Sequence, residues 1–145
     1  MYKHILIPTD GSELSAKAIK QGVAFAKAIN AEVTAITVSE TFHTFSLNPV
    51  MVTATTEQYQ KDCHARAEKY LSVAKNAAKA ANIPYEGIHV IHDHPYEAII
   101  ATAQENGCDL IFMASHGRKG MSAVVLGSET VKVLTHSKIP TLVCR

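Results

Sequence analysis

The stretch "ASHGRKGMSAVVLGSET", residues 114–130, concentrates residue types that could hold an anion. Gly117 and Gly120 can take positive φ and let main-chain N–H groups approach a ligand closely. Gly127-Ser128 stands where a helix is expected to begin, and such a terminus carries free N–H groups and about half a positive charge. Ser128 and Thr130 add hydroxyl donors, while Arg118 and Lys119 supply counter-charge. The chemistry implied is capture of a phosphate group. The plainer alternative is a glycine-containing loop with solvated basic residues and an ordinary serine cap. Two nucleotide signatures are missing: GxxxxGK[ST] does not occur, and no GxGxxG follows the first strand. A P-loop NTPase and a dinucleotide fingerprint are therefore not expected.

The elements that must position this loop are legible from periodicity. "HILIPT" (4–9) is a nearly continuous apolar run, suited to a strand buried on both faces of a parallel sheet. "DGS" (10–12) is turn chemistry, with Ser12 or Ser15 as helix cap. The helix to about Asn30 places Leu14, Ala18, Gly22, Phe25 and Ile29 on one face. "AEVTAITVS" (31–39) reads as a second strand. Residues 40–56 show no clean period and read as a long surface connection, of a kind that often serves as a lid or partner contact. A long helix follows from Glu57 to about Asn82, then a strand at 86–92. A helix at 94–107 has Pro95 in its first turn and Gly107 just past its end. "DLIFMAS" (109–115), a helix from near Gly127, and "IPTLVCR" (139–145) complete the order β-α-β-α-β-α-β-loop-α-β. Alternation of this kind predicts a single α/β domain over residues 1–145. Its expected form is an open five-stranded parallel sheet between helices, three-layered and Rossmann-like.

In such a sheet, ligands bind outside the carboxyl ends of the strands, where strand order reverses. "PTDGS", "VSE" and "ASHGRKG" lie at those ends and are expected to converge.

Composition narrows the function classes. The 145 residues are 47% hydrophobic and 19% charged, with 14 basic against 13 acidic residues and a net charge of +1. No basic excess or stripe marks a nucleic-acid footprint. No apolar run approaches the ~20 residues that span a bilayer, and "MYKH" opens no signal-peptide pattern, so a cytoplasmic location is expected. Cys63, Cys108 and Cys144 are far apart and read as reduced thiols.

Three segments together, "HILIPTDGSELSAKAI", "DLIFMASHGRKG" and "GSETVKVLTHSKIPTLVCR", resemble the universal stress protein family over essentially the whole chain. The nucleotide-binding branch of that family carries Gly, two residues, Gly, nine residues, Gly and then Ser or Thr. Gly117, the nine residues 118–126 and Gly127-Ser128 fit its second and third elements, whereas Ala114 replaces the first glycine. If position 114 needs positive φ, alanine there costs ~1 kcal/mol; if glycine serves only close approach, a methyl group is tolerated.

The resemblance implies an adenine-nucleotide ligand, ATP or AMP, with magnesium as a companion of ATP. It implies that Asp10 contacts the ribose, with Pro8 and Thr9 shaping the pocket, and that Val38 offers main-chain groups to the adenine edge. Met113 and Ala114 would line the pocket, while Ser115, His116, Gly117 and Arg118 cradle phosphate. Ser128, Glu129 and Thr130 would complete the phosphate site. It further implies a homodimer through the C-terminal strand and a regulatory role in stress response or signalling, with an unknown protein partner.

Other classes of function remain as alternatives: an interaction module whose pocket is vestigial, or a slow ATPase. No catalytic residue is nominated, since neither a Walker-type aspartate nor a carboxylate pair stands out. His89, His92 and His94, with Asp93 in "HVIHDH", raise the question of a metal, but solvated or capping histidines are the expectation.

Overall fold

The computed structural model describes residues 1–42, 55–118 and 125–145. Lys119 and Gly120 lie outside the described residues, as does most of the 40–56 connection. The elements are β1 (His4–Pro8), α1 (Glu13–Ile29), β2 (Glu32–Ser39), α2 (Thr56–Ala81), β3 (Tyr85–Ile91), α3 (Pro95–Glu105), β4 (Leu110–Ala114), α4 (Ser128–His136) and β5 (Thr141–Cys144). All strand pairs are parallel, in the order β3-β2-β1-β4-β5. The expected architecture is therefore the observed one, a three-layer Rossmann-like α/β sheet.

The apolar runs explain the layers. In β1, Ile5, Leu6 and Ile7 are all fully buried because alternate side chains enter opposite cores. Ile5 and Ile7 join Ala18, Ile19, Val23 and Ala26 of α1 and Leu71 and Ala74 of α2. Leu6 joins Ile99 and Ala103 of α3 and Val133 of α4 on the other face. Each such branched side chain contributes about 1.5–3 kcal/mol by leaving water. The central strand is thereby clamped from both sides.

Helix ends follow local chemistry. Ser12 caps α1 by accepting from the Ser15 N–H at 3.2 Å, and Thr55 caps α2 by accepting from Gln58 at 3.1 Å. Asn30 and Asn82 end the same two helices in the left-handed region. The buried stripe of α1 differs from the expected face: it runs through Ser15, Ala18, Ile19, Gly22, Val23 and Ala26, with Leu14, Phe25 and Ile29 at its margin. The helix sits so close to the sheet that small residues line its centre. A Cβ at Gly22 would fall 2.7 Å from Ile7 Cδ1.

Candidate functional site

Strand order reverses between β1 and β4: the chain leaves β1 towards β2 and β3, then crosses back to β4 and β5. The segments following these two neighbouring strands, Thr9–Ser12 and Ser115–Arg118, meet at their carboxyl ends. Asp10 joins them. Its Oδ1 accepts from the Ser12 N–H at 3.0 Å, an Asx turn, and its Oδ2 accepts from the Arg118 N–H at 2.8 Å. Burial pushes the Asp10 carboxyl up, but hydrogen bonds from Ser12, the Arg118 main chain and Ser15 outweigh it and hold the group below its usual range. Asp10 is thus a carboxylate, with lone pairs left to accept further donors.

Around it the β1 loop is stiffened. Thr9 N–H donates to Ile36 O at 2.9 Å, Thr37 Oγ1 donates to Thr9 O at 3.0 Å, and the hydroxyls of Thr9 and Ser15 are 3.1 Å apart. Pro8 ends the β1–β2 register against Ile36. That register also orients Val38. Main-chain groups alternate along a strand; Ile36 O faces β1 and Ser39 O faces β3, where it accepts from His92 N–H at 2.8 Å. The N–H and C=O of Val38 consequently face the β1 side, just beyond the point where β1 has ended.

The glycines serve contact more than conformation. Gly117, free to take positive φ, is not in the left-handed region; its requirement is proximity, because a Cβ there would fall 2.2 Å from Asp10 Oδ2. Gly127, the cap of α4, would place a Cβ 2.9 Å from His116 Cα, and its N–H donates to Ser115 O at 2.7 Å. Positive φ belongs instead to Gly11, at +78°. Ala114 is the last residue of β4, outside the left-handed region, and its methyl packs in the α1-side core. Alanine at 114 therefore carries no backbone strain. Met113 points to the opposite core.

The α4 terminus lies against this loop. Gly127 has no side chain to cap the first-turn N–H groups of Ser128, Glu129 and Thr130, and among the described residues no acceptor takes them. Ser128 is exposed. The hydroxyl of Thr130, expected to face an anion, points inward: it donates to Ala114 O at 3.0 Å with the residue 2% exposed, pinning α4 to β4. Glu129 is engaged by α3, accepting from the Tyr96 N–H at 2.9 Å, and lies 3.3 Å from Lys132 Nζ. His116 Nδ1 is 3.2 Å from Ser115 Oγ.

Two residues passed over in the sequence also belong here. Gly11 and Tyr70 are in contact, and the Tyr70 hydroxyl accepts from Arg118 Nη2 at 2.5 Å. "DGS" hinted at Gly11; nothing local singles out Tyr70 on a long helix.

Elsewhere, the histidines of "HVIHDH" separate into His89 on one side and the neighbouring pair His92 and His94, whose ring centroids are 6.0 Å apart. His89 Nε2 is 2.8 Å from Ser39 Oγ, and His92 Nδ1 accepts from the His94 N–H at 2.9 Å. Among the described residues no group of three or more His, Cys, Asp or Glu is placed to hold a metal ion. Nor is any described helix long and apolar enough to cross a membrane. Cys63, Cys108 and Cys144 are buried free thiols. An open hollow of about 450 Å³ lies at the amino ends of the strands, lined by His4, Glu32, Thr34 and Tyr85 among others. It is remote from the converging loops.

These features have counterparts among known proteins. The profile of the Universal stress protein family matches residues 1–145. Universal stress protein YxiE of Bacillus subtilis is 30% identical over the full length of both chains. The structure of MJ0577, a universal stress protein of Methanocaldococcus jannaschii, superposes with a TM-score of 0.82 at 29% identity, covering 99% of this chain and 95% of that one. Two more distant neighbours were solved with ligands. One is a universal stress protein in complex with cAMP (TM-score 0.69, 23% identity, 99% and 97% covered). The other is an Archaeoglobus fulgidus universal stress protein in complex with dAMP (TM-score 0.67, 15% identity, 99% and 98% covered). The chain belongs to the universal stress protein family.

Proposed function

We propose that this chain, acting as one domain, binds an adenine nucleotide at the β1/β4 switch point and works as a nucleotide-dependent regulatory protein in stress response. The observation that carries this reading is the Asp10 carboxylate, held ionised between the two loops at 3.0 Å from Ser12 N and 2.8 Å from Arg118 N, beside an uncapped helix terminus. A carboxylate here suits ribose hydroxyls, and free first-turn N–H groups suit phosphate oxygens. Val38 main-chain groups, directed past the end of β1, suit the polar edge of adenine. Pro8, Thr9, Met113, Ala114, Ser115, His116, Gly117, Arg118, Gly127, Ser128, Glu129 and Thr130 complete the surround, Thr130 through its main chain alone. The cAMP and dAMP complexes of the distant neighbours agree with a ligand of this class.

AMP or ATP is the proposed ligand, with magnesium accompanying the triphosphate. The nucleotide acts as signal or structural ligand, and no catalytic residue is assigned. β5 is an edge strand, and Leu142 on it, with Val131 and Leu134 on α4, exposes apolar surface. That edge supports a homodimer, since an uncovered apolar edge invites aggregation; the cytoplasm is the compartment proposed for it.

Calorimetric titration of nucleotide-stripped protein with ATP, ADP, AMP and adenosine, with and without magnesium, tests the reading. Micromolar binding is expected, and Gly127→Glu should abolish it. A folded protein that gives no heat with any of the four would leave the chain as an interaction module.

A further inference from the structure

Tyr70, on α2, bridges the two loops of the site. Its ring lies against the main chain of Gly11, where a Cβ would fall 2.3 Å from Tyr70 Cε1 and 2.5 Å from Cδ1. Its other neighbour is Arg118: the guanidinium carbon lies 5.1 Å from the ring centroid, and Nη2 donates to the Tyr70 hydroxyl. One side chain, half-buried and supplied by an element that belongs to neither loop, thus touches the segment after β1 and the segment after β4.

The charge state of this contact matters. Among the described residues, no carboxylate lies within ion-pair distance of the Arg118 guanidinium. The Asp10 carboxylate takes the Arg118 main-chain N–H and leaves the guanidinium unpaired with it. Arg118 is therefore held by a neutral partner, which orients the guanidinium without neutralising it. An arginine so held loses less conformational freedom on meeting a phosphate than one free in solvent, and among the described residues nothing else takes its remaining N–H groups.

We propose that Tyr70 is a positioning residue for phosphate recognition: it pre-orients Arg118 beside Asp10, so that the site separates nucleotides from nucleosides. This rests on the nucleotide reading above and adds to it a residue that reads phosphate indirectly. The ring contributes an aromatic face and the hydroxyl one hydrogen bond, so their removal should differ in size.

The test compares affinities for adenosine, AMP and ATP in wild-type protein, Tyr70→Phe, Tyr70→Leu and Arg118→Gln, with folding checked by circular dichroism. Tyr70→Phe should narrow the AMP-to-adenosine affinity ratio about threefold and Tyr70→Leu about tenfold, with adenosine affinity unchanged. In the Arg118→Gln background, Tyr70→Phe should change nothing further, because the partner is gone. Equal weakening of adenosine and AMP in the Tyr70 variants overturns the proposal and makes the ring a plain brace. Additive effects of the Tyr70 and Arg118 changes overturn it as well. Should wild-type protein bind no nucleotide, inorganic tripolyphosphate replaces AMP as probe. Binding that weakens in both Tyr70 variants would keep the phosphate role while removing the adenine reading, and absence of binding would end both.

Discussion

The two ends of the sheet both carry polar groups but use them differently. At the amino end, Asp109 accepts from the N–H groups of Lys3 (2.9 Å) and His4 (3.0 Å), His4 lies 3.3 Å from Glu32, and His4 Nε2 is 2.7 Å from Thr34 Oγ1. These are full side chains tying strands to one another. At the carboxyl end, glycines stand at 117 and 127 where any Cβ would collide, the Asp10 carboxylate joins the two loops through main-chain N–H groups, and side chains such as Thr9, Thr37, Tyr70 and Arg118 brace them. One end satisfies its own groups with side chains. The other keeps Cβ atoms away from the Asp10 carboxylate and from His116 and, among the described residues, leaves the first turn of α4 without a side-chain cap. A hollow exists at the amino end, so cavity alone does not identify a site; unspent hydrogen-bonding capacity does.

The contrast can be broken most forcefully at Gly117. Gly117→Val places methyl groups on the Asp10 carboxylate and should weaken nucleotide binding more than about 100-fold, worth ~2.7 kcal/mol by titration. Asp10→Asn comes next. It keeps the Asx-turn shape but removes the charge, and about tenfold weaker binding is expected. The pH sign follows from the lowered pKa: stability from Asp10 is present above its ordinary value of 3.8 and is lost as pH falls through the lower folded value. Binding measured at pH 5 should therefore match that at pH 7 as far as Asp10 is concerned.

Asp109→Ala sharpens the comparison from the other end. It should cost about 1–2 kcal/mol in urea unfolding by releasing two strand N–H groups, while nucleotide affinity stays within twofold. The smallest effect concerns His89 on edge strand β3. Burial first, and then the nearby His64, pull its pKa below 6.5, with Glu68 opposing. The neutral form is favoured in the fold, so its contribution is full above pH 6.5 and fades as pH falls below that value. Amide exchange along β3 should rise modestly between pH 7 and 5, after correction for intrinsic rates, and His89→Gln should flatten the trend.

Much of this was legible before the structure. The continuous runs of β1 and β4 declare burial on both faces, "DGS" declares the start of α1 with Ser12 or Ser15 as its cap, and parallel alternation declares where a ligand-bearing crevice must lie. Asp10 could be nominated from the family resemblance of the segment after β1, and Gly117 from the spacing of the glycines in the 114–130 stretch. What stayed hidden depends on contacts between distant segments. That Gly117 is needed for Asp10, 107 positions away, rather than for its own φ, has no local signature. Thr130 sits at a helix start like any hydroxyl donor, and only the approach of α4 to β4 turns it inward to Ala114 O. Tyr70 is one residue in a helix of 26, and its place beside Gly11 and Arg118 comes from how α2 lies across the sheet edge.

The central claim is the location of the ligand, and amide-resolved NMR titration with AMP tests it most directly. The account predicts that the main-chain amides of Gly11, Val38, Gly117, Arg118 and Ser128–Thr130 shift together with one affinity, while those of His4, Glu32, Tyr85 and Asn106 around the amino-end hollow stay still. Shifts confined to the hollow, with the switch-point amides unmoved, would contradict it.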